Sequence, residues 1–390
     1  MDTLAVLLGG LAILLAYLLL ERIRHEKALG RIVLRIAVTG TRGKSSVTRL
    51  IAAVLHESGK RVVAKTTGSK PVVILPDGRE KEIVRTGTPS ILEQKKLVEL
   101  ASRLKADALV VETMSIRPEN SRAESAKLVR PHILALTNVR LDHIDDMGQT
   151  KEAIAASLAE GIPADGTLVV LEEEDFAVFH EVAAKRRATV MRVPKNTGLE
   201  AGGEFEFVEN VRLALAVADV LKIPPETAFR GMAVAQPDFG SLKVWATERS
   251  GRAWHLASAF AANEPESTAR VLEMMRRRPG LPSRSIALLN LRSDRGDRTR
   301  QWLAAIRTGF FDGFDHLVFI GSHAPAFSRK SAAWFGTKAR VAAIAGHDPA
   351  RIMDRVFALI PEGGLVVGTG NMGGPGKALV GYWSRIGRAA

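Results

Sequence analysis

The residues best suited to chemistry lie in the segment IAVTGTRGKSS, Ile36–Ser46. A β-rich run enters it and an amphipathic stretch leaves it. Gly40 and Gly43 let the backbone curl so that its N–H groups, with the dipole of the following helix, converge on an anion. Lys44 then stands where an ammonium neutralises the outer phosphates of a nucleoside triphosphate, and the Ser45 hydroxyl where it helps to hold Mg2+. Thr39, Gly40, Thr41, Arg42, Gly43, Lys44, Ser45 and Ser46 are therefore candidate ATP-binding residues, with a glycine turn and a solvated lysine as the alternative. The loop is shorter than the standard Walker form, which needs a glycine where Val38 stands. A second concentration of charge, Arg292-Ser-Asp-Arg-Gly-Asp-Arg298, follows the apolar run SIALLN. Arginine forks grip carboxylates and phosphates through paired hydrogen bonds. Arg292, Asp294, Arg295 and Arg298 are thus candidate substrate-binding residues, or else a solvated charged loop. Gly368–Lys377 reads either as a second phosphate loop or as a tight βα turn.

These groups need a frame, and the apolar pattern supplies one. RIVLRIAV, RVVAKT, ADALVVE, HILALTNV, GTLVVLE, SIALLN, HLVFIG and GGLVVGTG read as strands, and Ser45–Ser58, Ile91–Leu104 and Val211–Leu221 carry helical periodicity. Strands alternating with helices predict doubly wound α/β domains. A boundary is expected near Gln236-Pro-Asp-Phe-Gly240, where a helical stretch closes and a new run, Leu242–Trp245, begins. That predicts an anchor and connector over 1–30, an ATP-binding domain over 31–240 with a mostly parallel sheet, and a Rossmann-like α/β domain over 241–390. A chain of 390 residues, 46% of them hydrophobic, can fill these cores. The absence of cysteine excludes disulfides and thiolate chemistry. From Ser241 onward 22 Lys and Arg face 11 Asp and Glu, a field that attracts polyanions. Aromatics make up 5% of the chain and no aromatic-rich basic stretch suggests base stacking, so the polyanion is not expected to be nucleic acid.

Leu4–Leu20 is an unbroken apolar run without charge, near the lower limit for crossing a bilayer. Arg22, Arg24, Lys27 and Arg31 follow it, and no Ala-x-Ala cleavage signal does. The run is expected to be an uncleaved transmembrane helix with everything after it in the cytoplasm.

The shortened loop resembles that of Mur ligases and folylpolyglutamate synthases. Thr137–Gly148, TNVRLDHIDDMG, is similar to their Asp-His-Leu-Asp segment, Glu209-Asn210 to their His-Asn element, and Ala261–Pro265 to their Ala-His-Asn-Pro element. With KTTGS, FAANEPEST, NLRSDRGDRTRQ and the apolar run, nearly the whole chain resembles the ligase subunit of poly-γ-glutamate synthase, the PgsB/CapB family. The resemblance implies ATP-dependent amide formation through an acyl phosphate, with Mg2+. It implies catalytic Lys44, Glu112 and His143, metal contacts from Ser45, Glu112 and His143, and ATP contacts from Asn138, Asn210 and Asn263. It implies glutamate and an acidic polymer acceptor as substrates. It also implies two partners: a small integral membrane protein (PgsC/CapC-like) and an extracellular anchored one (PgsA/CapA-like).

Plainer readings stand beside these. Glu112 would be a strand-end carboxylate, His143 part of a helix cap with Asp142 and Asp145, and Asn138 a turn cap. The neighbourhood Ser258-Ala-Phe260 lacks the acid that holds the ribose in the relatives, and Ala262 replaces their histidine. The short interval between the apolar run and the phosphate loop leaves no room for a UDP-binding domain, so a UDP-linked peptide is not the expected substrate. Other readings are a folylpolyglutamate-type ligase, which needs no membrane, and a regulatory membrane ATPase or a scaffold that binds ATP without chemistry. The regulatory class carries a tyrosine cluster, whereas this chain has two tyrosines, Tyr17 and Tyr382. The basic cluster after the apolar run predicts that a C-terminal tag resists protease added to intact cells and is digested once they are opened. Digestion in intact cells would place the chain on the other side.

Overall fold

The computed structural model describes residues 3–68, 71–85, 87–195, 207–238, 242–276, 278–334 and 340–390. Phe239 and Gly240 of the expected boundary, and Ser69 of KTTGS, lie outside these residues. Among the described residues Asp142–Asp145 and those from Pro237 onward form one compact unit, and the rest form another.

The first unit begins with helix α1, Thr3–Gly30. Its Val6–Gly30 stretch is long and apolar enough to cross a membrane, by length and composition. The early turns are exposed, with Leu7 at 66% and Ile13 at 72%. The later turns are packed against the unit. His25, Ala28 and Leu29 are buried, as is Ile32 just after the helix. Full burial of a Leu or Ile side chain stabilises by about 1.5–3 kcal/mol each. Glu21 pairs with Lys95 at 2.5 Å and Glu26 with Arg130 at 2.5 Å. The Arg35 guanidinium donates to the carbonyls of Leu29 and Ile32 at 3.0 and 2.7 Å, capping the end of the helix. No proline interrupts the helix, so one rod passes from the apolar run into the folded unit.

An eight-stranded sheet forms the rest of this unit's frame: β1 (Leu34–Thr39), β2 (Val62–Thr66), β3 (Val72–Ile74), β4 (Glu80–Glu82), β5 (Ala108–Glu112), β6 (Ile133–Leu136), β7 (Thr167–Leu171) and β8 (Thr189–Val193). Their spatial order is β4-β3-β2-β5-β1-β6-β7-β8. The strands from β2 to β8 in that order run parallel, and β3 and β4 add an antiparallel edge. The central strands are buried on both faces, which is why they read as continuous apolar runs. Helix α2 (Lys44–Glu57) leaves β1 and packs on one face, while α3 (Glu93–Arg103) serves the other. The chain leaves β1 towards β2 on one side and continues from β6 to β7 on the other. The carboxyl ends of β1 and β6 therefore flank a topological switch point, the usual place for a ligand.

The second unit has β9 (Lys243–Arg249), β10 (Arg252–Ser258), β11 (Ser285–Leu291), β12 (His316–Gly321), β13 (Arg340–Ala343), β14 (Gly364–Gly370) and β15 (Arg388–Ala389), in the order β13-β12-β11-β14-β10-β9-β15. The first five in that order are parallel. β9 and β15 are antiparallel, so the run starting at Leu242 is the outgoing arm of a hairpin rather than the opening of a parallel unit. Trp383 lies against Phe260 at 5.7 Å and Trp245 at 6.2 Å, anchoring that end of the core.

Candidate active site

Strand β1 pairs with β5 and β6, bringing three strand ends together: Val38 lies opposite Glu112 and Thr39 opposite Leu136. The phosphate loop springs from this point. Gly40 has φ +120°, and a Cβ there would collide with Thr137 Oγ1. Gly43 takes the left-handed conformation, φ +78°, immediately before α2, and a Cβ there would lie 2.8 Å from Asn210 Oδ1. Both glycines are therefore required by close approach as well as by backbone conformation. Gly43 offers no side-chain cap, and α2 presents its amino end at the loop. Lys44 folds back over the loop, donating to Gly40 O at 2.7 Å.

Asn138 latches this loop. Its Oδ1 accepts from Thr41 Oγ1 at 2.7 Å and Arg42 N at 3.1 Å, and its Nδ2 donates to Arg42 O at 3.0 Å. Its carbonyl accepts from Thr41 N at 3.0 Å. The two sequence readings of Asn138, a nucleotide contact or a cap, acquire a concrete geometry: the side chain binds the loop itself. Asn210, 6% exposed near the start of the helix Val208–Val220, backs the loop at Gly43.

Glu112, 4% exposed, ends β5. Its Oε2 accepts from Ser45 Oγ at 2.7 Å and Thr67 N at 2.6 Å, while Oε1 has no hydrogen-bond partner among the described residues. A hydroxyl and a carboxylate side by side at a phosphate loop are hard oxygen donors of the kind a small divalent cation takes. Among the described residues no cluster of three or more His, Asp or Glu could hold a metal.

The remaining candidates lie in the second unit. His143 has φ +50°, and its Nε2 is 3.7 Å from Asp142 Oδ2, beyond hydrogen-bond reach. Asp142, 3% exposed, receives Arg298 Nη2 at 3.0 Å. Arg298 also donates to Asn371 Oδ1 at 3.3 Å and is itself buried. Arg298 thus differs from the exposed fork expected of a loop: it ties Asp142 to the turn after β14. Arg292 and Asp294 pair bidentately at 2.6 and 2.9 Å, and the guanidinium holds the Asp294 carboxyl below its ordinary pKa. The turn after β14 lets Arg292 lie over Gly373, where a Cβ would collide with it. Arg295 precedes the helix Gly296–Arg307, and its Nε is buried without a partner among the described residues. The Asp297 side chain lies outside the described residues. Asn263 accepts Trp302 Nε1 on its carbonyl at 3.2 Å. In place of the missing acid, Ser258-Ala-Phe260 is core: Ala259 N bonds Gly368 O at 2.8 Å, and Phe260 is fully buried.

Sequence reasoning passed over Thr67, whose amide meets Glu112, and Asn371, which meets Arg298. Backbone donors carry no residue signature, so Thr67 was visible only through the KTTGS likeness.

A parallel sheet with a phosphate loop at its switch point and a Ser–carboxylate pair beside it defines a Mur-ligase type of nucleotide site. The Mur ligase middle domain matches residues 38–217, and the poly-gamma-glutamate synthase CapB C-terminal domain matches residues 244–386. The chain is 34% identical over 305 residues to PGA synthase CapB of Bacillus subtilis (strain 168), covering 76% of this chain and 77% of that protein. It is 36% identical over 296 residues to the capsule biosynthesis protein CapB of Bacillus anthracis, covering 74% of this chain and 64% of that one. The chain belongs to the CapB family of Mur-type ligases. Solved structures share the fold. E. coli FolC in complex with ADP gives a TM-score of 0.68 at 17% identity, over 96% of this chain and 97% of that one. MurF from Acinetobacter baumannii gives 0.65 at 16%, over 94% and 78%.

Lys44→Ala removes the one ammonium built into the Gly40–Ser45 loop while leaving the glycine turn intact. ATP turnover should fall by at least about 100-fold, of the order set by losing a group aimed at transition-state charge, with an unchanged melting temperature. Near-normal turnover would move the nucleotide site elsewhere.

Proposed function

We propose that this chain is an ATP-dependent amide ligase that adds glutamate to poly-γ-glutamate at the cytoplasmic face of a membrane, α1 serving as a single-pass anchor. One observation carries the reading: the Ser45–Glu112 pair beside the Gly40–Lys44 loop, in a chain of the CapB family. FolC of E. coli was solved with ADP, and the Yersinia pestis folylpolyglutamate synthase/dihydrofolate synthase with AMPPNP and a Mn ion, which supports a nucleotide and a divalent cation here.

A carboxylate is a poor electrophile, so its oxygen first attacks the γ-phosphorus of ATP, and ADP leaves with the bridging electron pair. The amine of the second reactant then attacks the acyl carbon. The tetrahedral intermediate expels phosphate, and the nitrogen gives up a proton. Mg2+ held by Ser45 and Glu112, with a second ion at His143, would supply positive charge against phosphate and carboxylate oxygens. The chain's own contribution is placement. Lys44 and the amino end of α2 face the phosphates. Asn138 and Asn210 keep the loop in shape.

In this reading Arg292, oriented by Asp294, and Arg295 meet the carboxylates of the acceptor chain. Arg298 is committed to Asp142 and orients the His143 turn. The charge excess from Ser241 onward suits a polyanionic product. A small integral membrane partner (CapC-like) and an extracellular anchored one (CapA-like) complete the proposed assembly. A folylpolyglutamate-type activity has the same fold in its favour, but α1 gives a soluble substrate no purpose.

Hydroxylamine added with ATP and acceptor should trap a hydroxamate and release inorganic phosphate. Release of AMP and pyrophosphate would instead demonstrate adenylate chemistry. Neutralising the exposed fork by Arg292→Gln should raise the KM for long acceptor several-fold and flatten its dependence on salt, since attraction to a polyanion is screened over about 8 Å at physiological ionic strength. The KM for ATP should hold. A variant that lost ATP binding and kept acceptor use would assign Arg292 to the nucleotide.

A further inference from the structure

Behind Glu112 lies a buried polar network that no step above uses. Gln94 on α3 is 0% exposed and Glu124 2% exposed. Burying an amide and a carboxylate is costly unless each is hydrogen-bonded, so their partners show what they are for. Gln94 Nε2 donates to the main-chain carbonyl of Glu112 at 3.0 Å and to Glu124 Oε1 at 2.7 Å. Its Oε1 is buried with no partner among the described residues, so this amide is oriented by what it donates. Glu124 in turn accepts from Met114 N at 3.0 Å on Oε1 and 3.1 Å on Oε2, and from Ser115 N at 3.0 Å.

The four residues from Glu112 to Ser115 are thus fastened at both ends of the segment. They have left β5, and no strand partner fixes Met114 or Ser115; their amides are spent on one carboxylate instead. Glu124 reaches them because the helix Pro118–Ala123 widens at that residue into a π-helical turn, Glu124–Val129. Such widenings recur where a side chain has to be re-aimed at a functional site. A cation stands nearby. Lys65, 1% exposed on β2, contacts Met114 Sδ at 2.8 Å and Glu93 at 3.0 Å. Burial pushes its pKa down, while Glu93, with a smaller contribution from Glu124, pulls it back up.

We propose that Glu124 and Gln94 are positioning residues for the metal-binding carboxylate: they fix the backbone at Glu112 so that Oε2 stays with Ser45 and Thr67 and Oε1 stays open to the cation. This rests on the reading of Ser45 and Glu112 as cation ligands. A glutamine at position 124 turns one acceptor oxygen into a donor facing the N–H groups of Met114 and Ser115, so the segment loses part of its clamp without losing volume. Gln94→Met removes the amide and keeps the length of the side chain.

The test is Mn2+ binding by the full-length chain in detergent, saturated with ADP, read from the electron paramagnetic resonance signal of free Mn2+. ADP affinity without metal and the melting temperature are measured alongside. Loss of a group that orients a ligand costs about 10–100-fold in metal affinity. Glu124→Gln and Gln94→Met should each weaken Mn2+ by about 10-fold and leave metal-free ADP affinity unchanged; if Glu124→Gln fails to fold, Gln94→Met decides. Glu112→Gln is the reference. If it loses Mn2+ while both other variants bind like the unaltered chain, the positioning role is wrong. If Glu112→Gln itself binds normally, the ligand assignment falls and this inference with it. An equal loss of metal-free ADP affinity would reduce the network to a structural support and overturn the proposal.

Discussion

The carboxylate of Glu112 is the point on which the proposed nucleotide site turns. Taken out of water at the end of a central strand, it has to be met by donors, and the donors are what assemble the site. Ser45 comes from the first turn of α2, and Thr67 comes from the end of β2. A single buried charge thereby ties the segments after β1, β2 and β5 together. The register that places Val38 opposite Glu112 is then more than a sheet contact, since a one-residue slip would turn the carboxylate to the other face.

Much of this was legible in the sequence because it was written in side chains and periods. The apolar runs legible as strands are β1, β2, β5, β6, β7, β11, β12 and β14, all with strand neighbours on both sides. Strands β3, β4, β8, β10, β13 and β15 escaped, and β9 was seen only as the run Leu242–Trp245. Edge and near-edge strands keep polar or charged faces, as in Glu80-Lys-Glu82, and alternation is weak over so few residues. The phosphate loop was readable because glycine is nearly the only residue for φ values of +120° and +78°. The π-helical turn at Glu124 was not. No composition marks it, and Glu124 reads as an ordinary surface acid until its three donors are seen.

Arg298 shows the opposite difficulty. In the sequence it is one of several arginines in a charged run after a strand. In the fold it is buried against Asp142 and Asn371, while Arg292 and Asp294 remain near solvent. A buried ion pair contributes little net stability compared with apolar groups of the same shape, yet removing one partner costs about 3–5 kcal/mol. Such a pair specifies geometry, and here the geometry concerns the turn that carries His143.

The docking of α1 has a mechanical meaning. A flexible linker as long as Glu21–Gly30 would let the nucleotide site wander over roughly 17 Å from its point of attachment. As helix, the same residues rise about 15 Å along one axis, and Glu21, Glu26 and Leu29 lock that axis to the sheet. With the apolar half placed in a bilayer, the site would keep one height above the lipid and one tilt towards it. A polymer end released there would be re-presented at the same spot after every addition, so its effective concentration would be set by the stiffness of the rod.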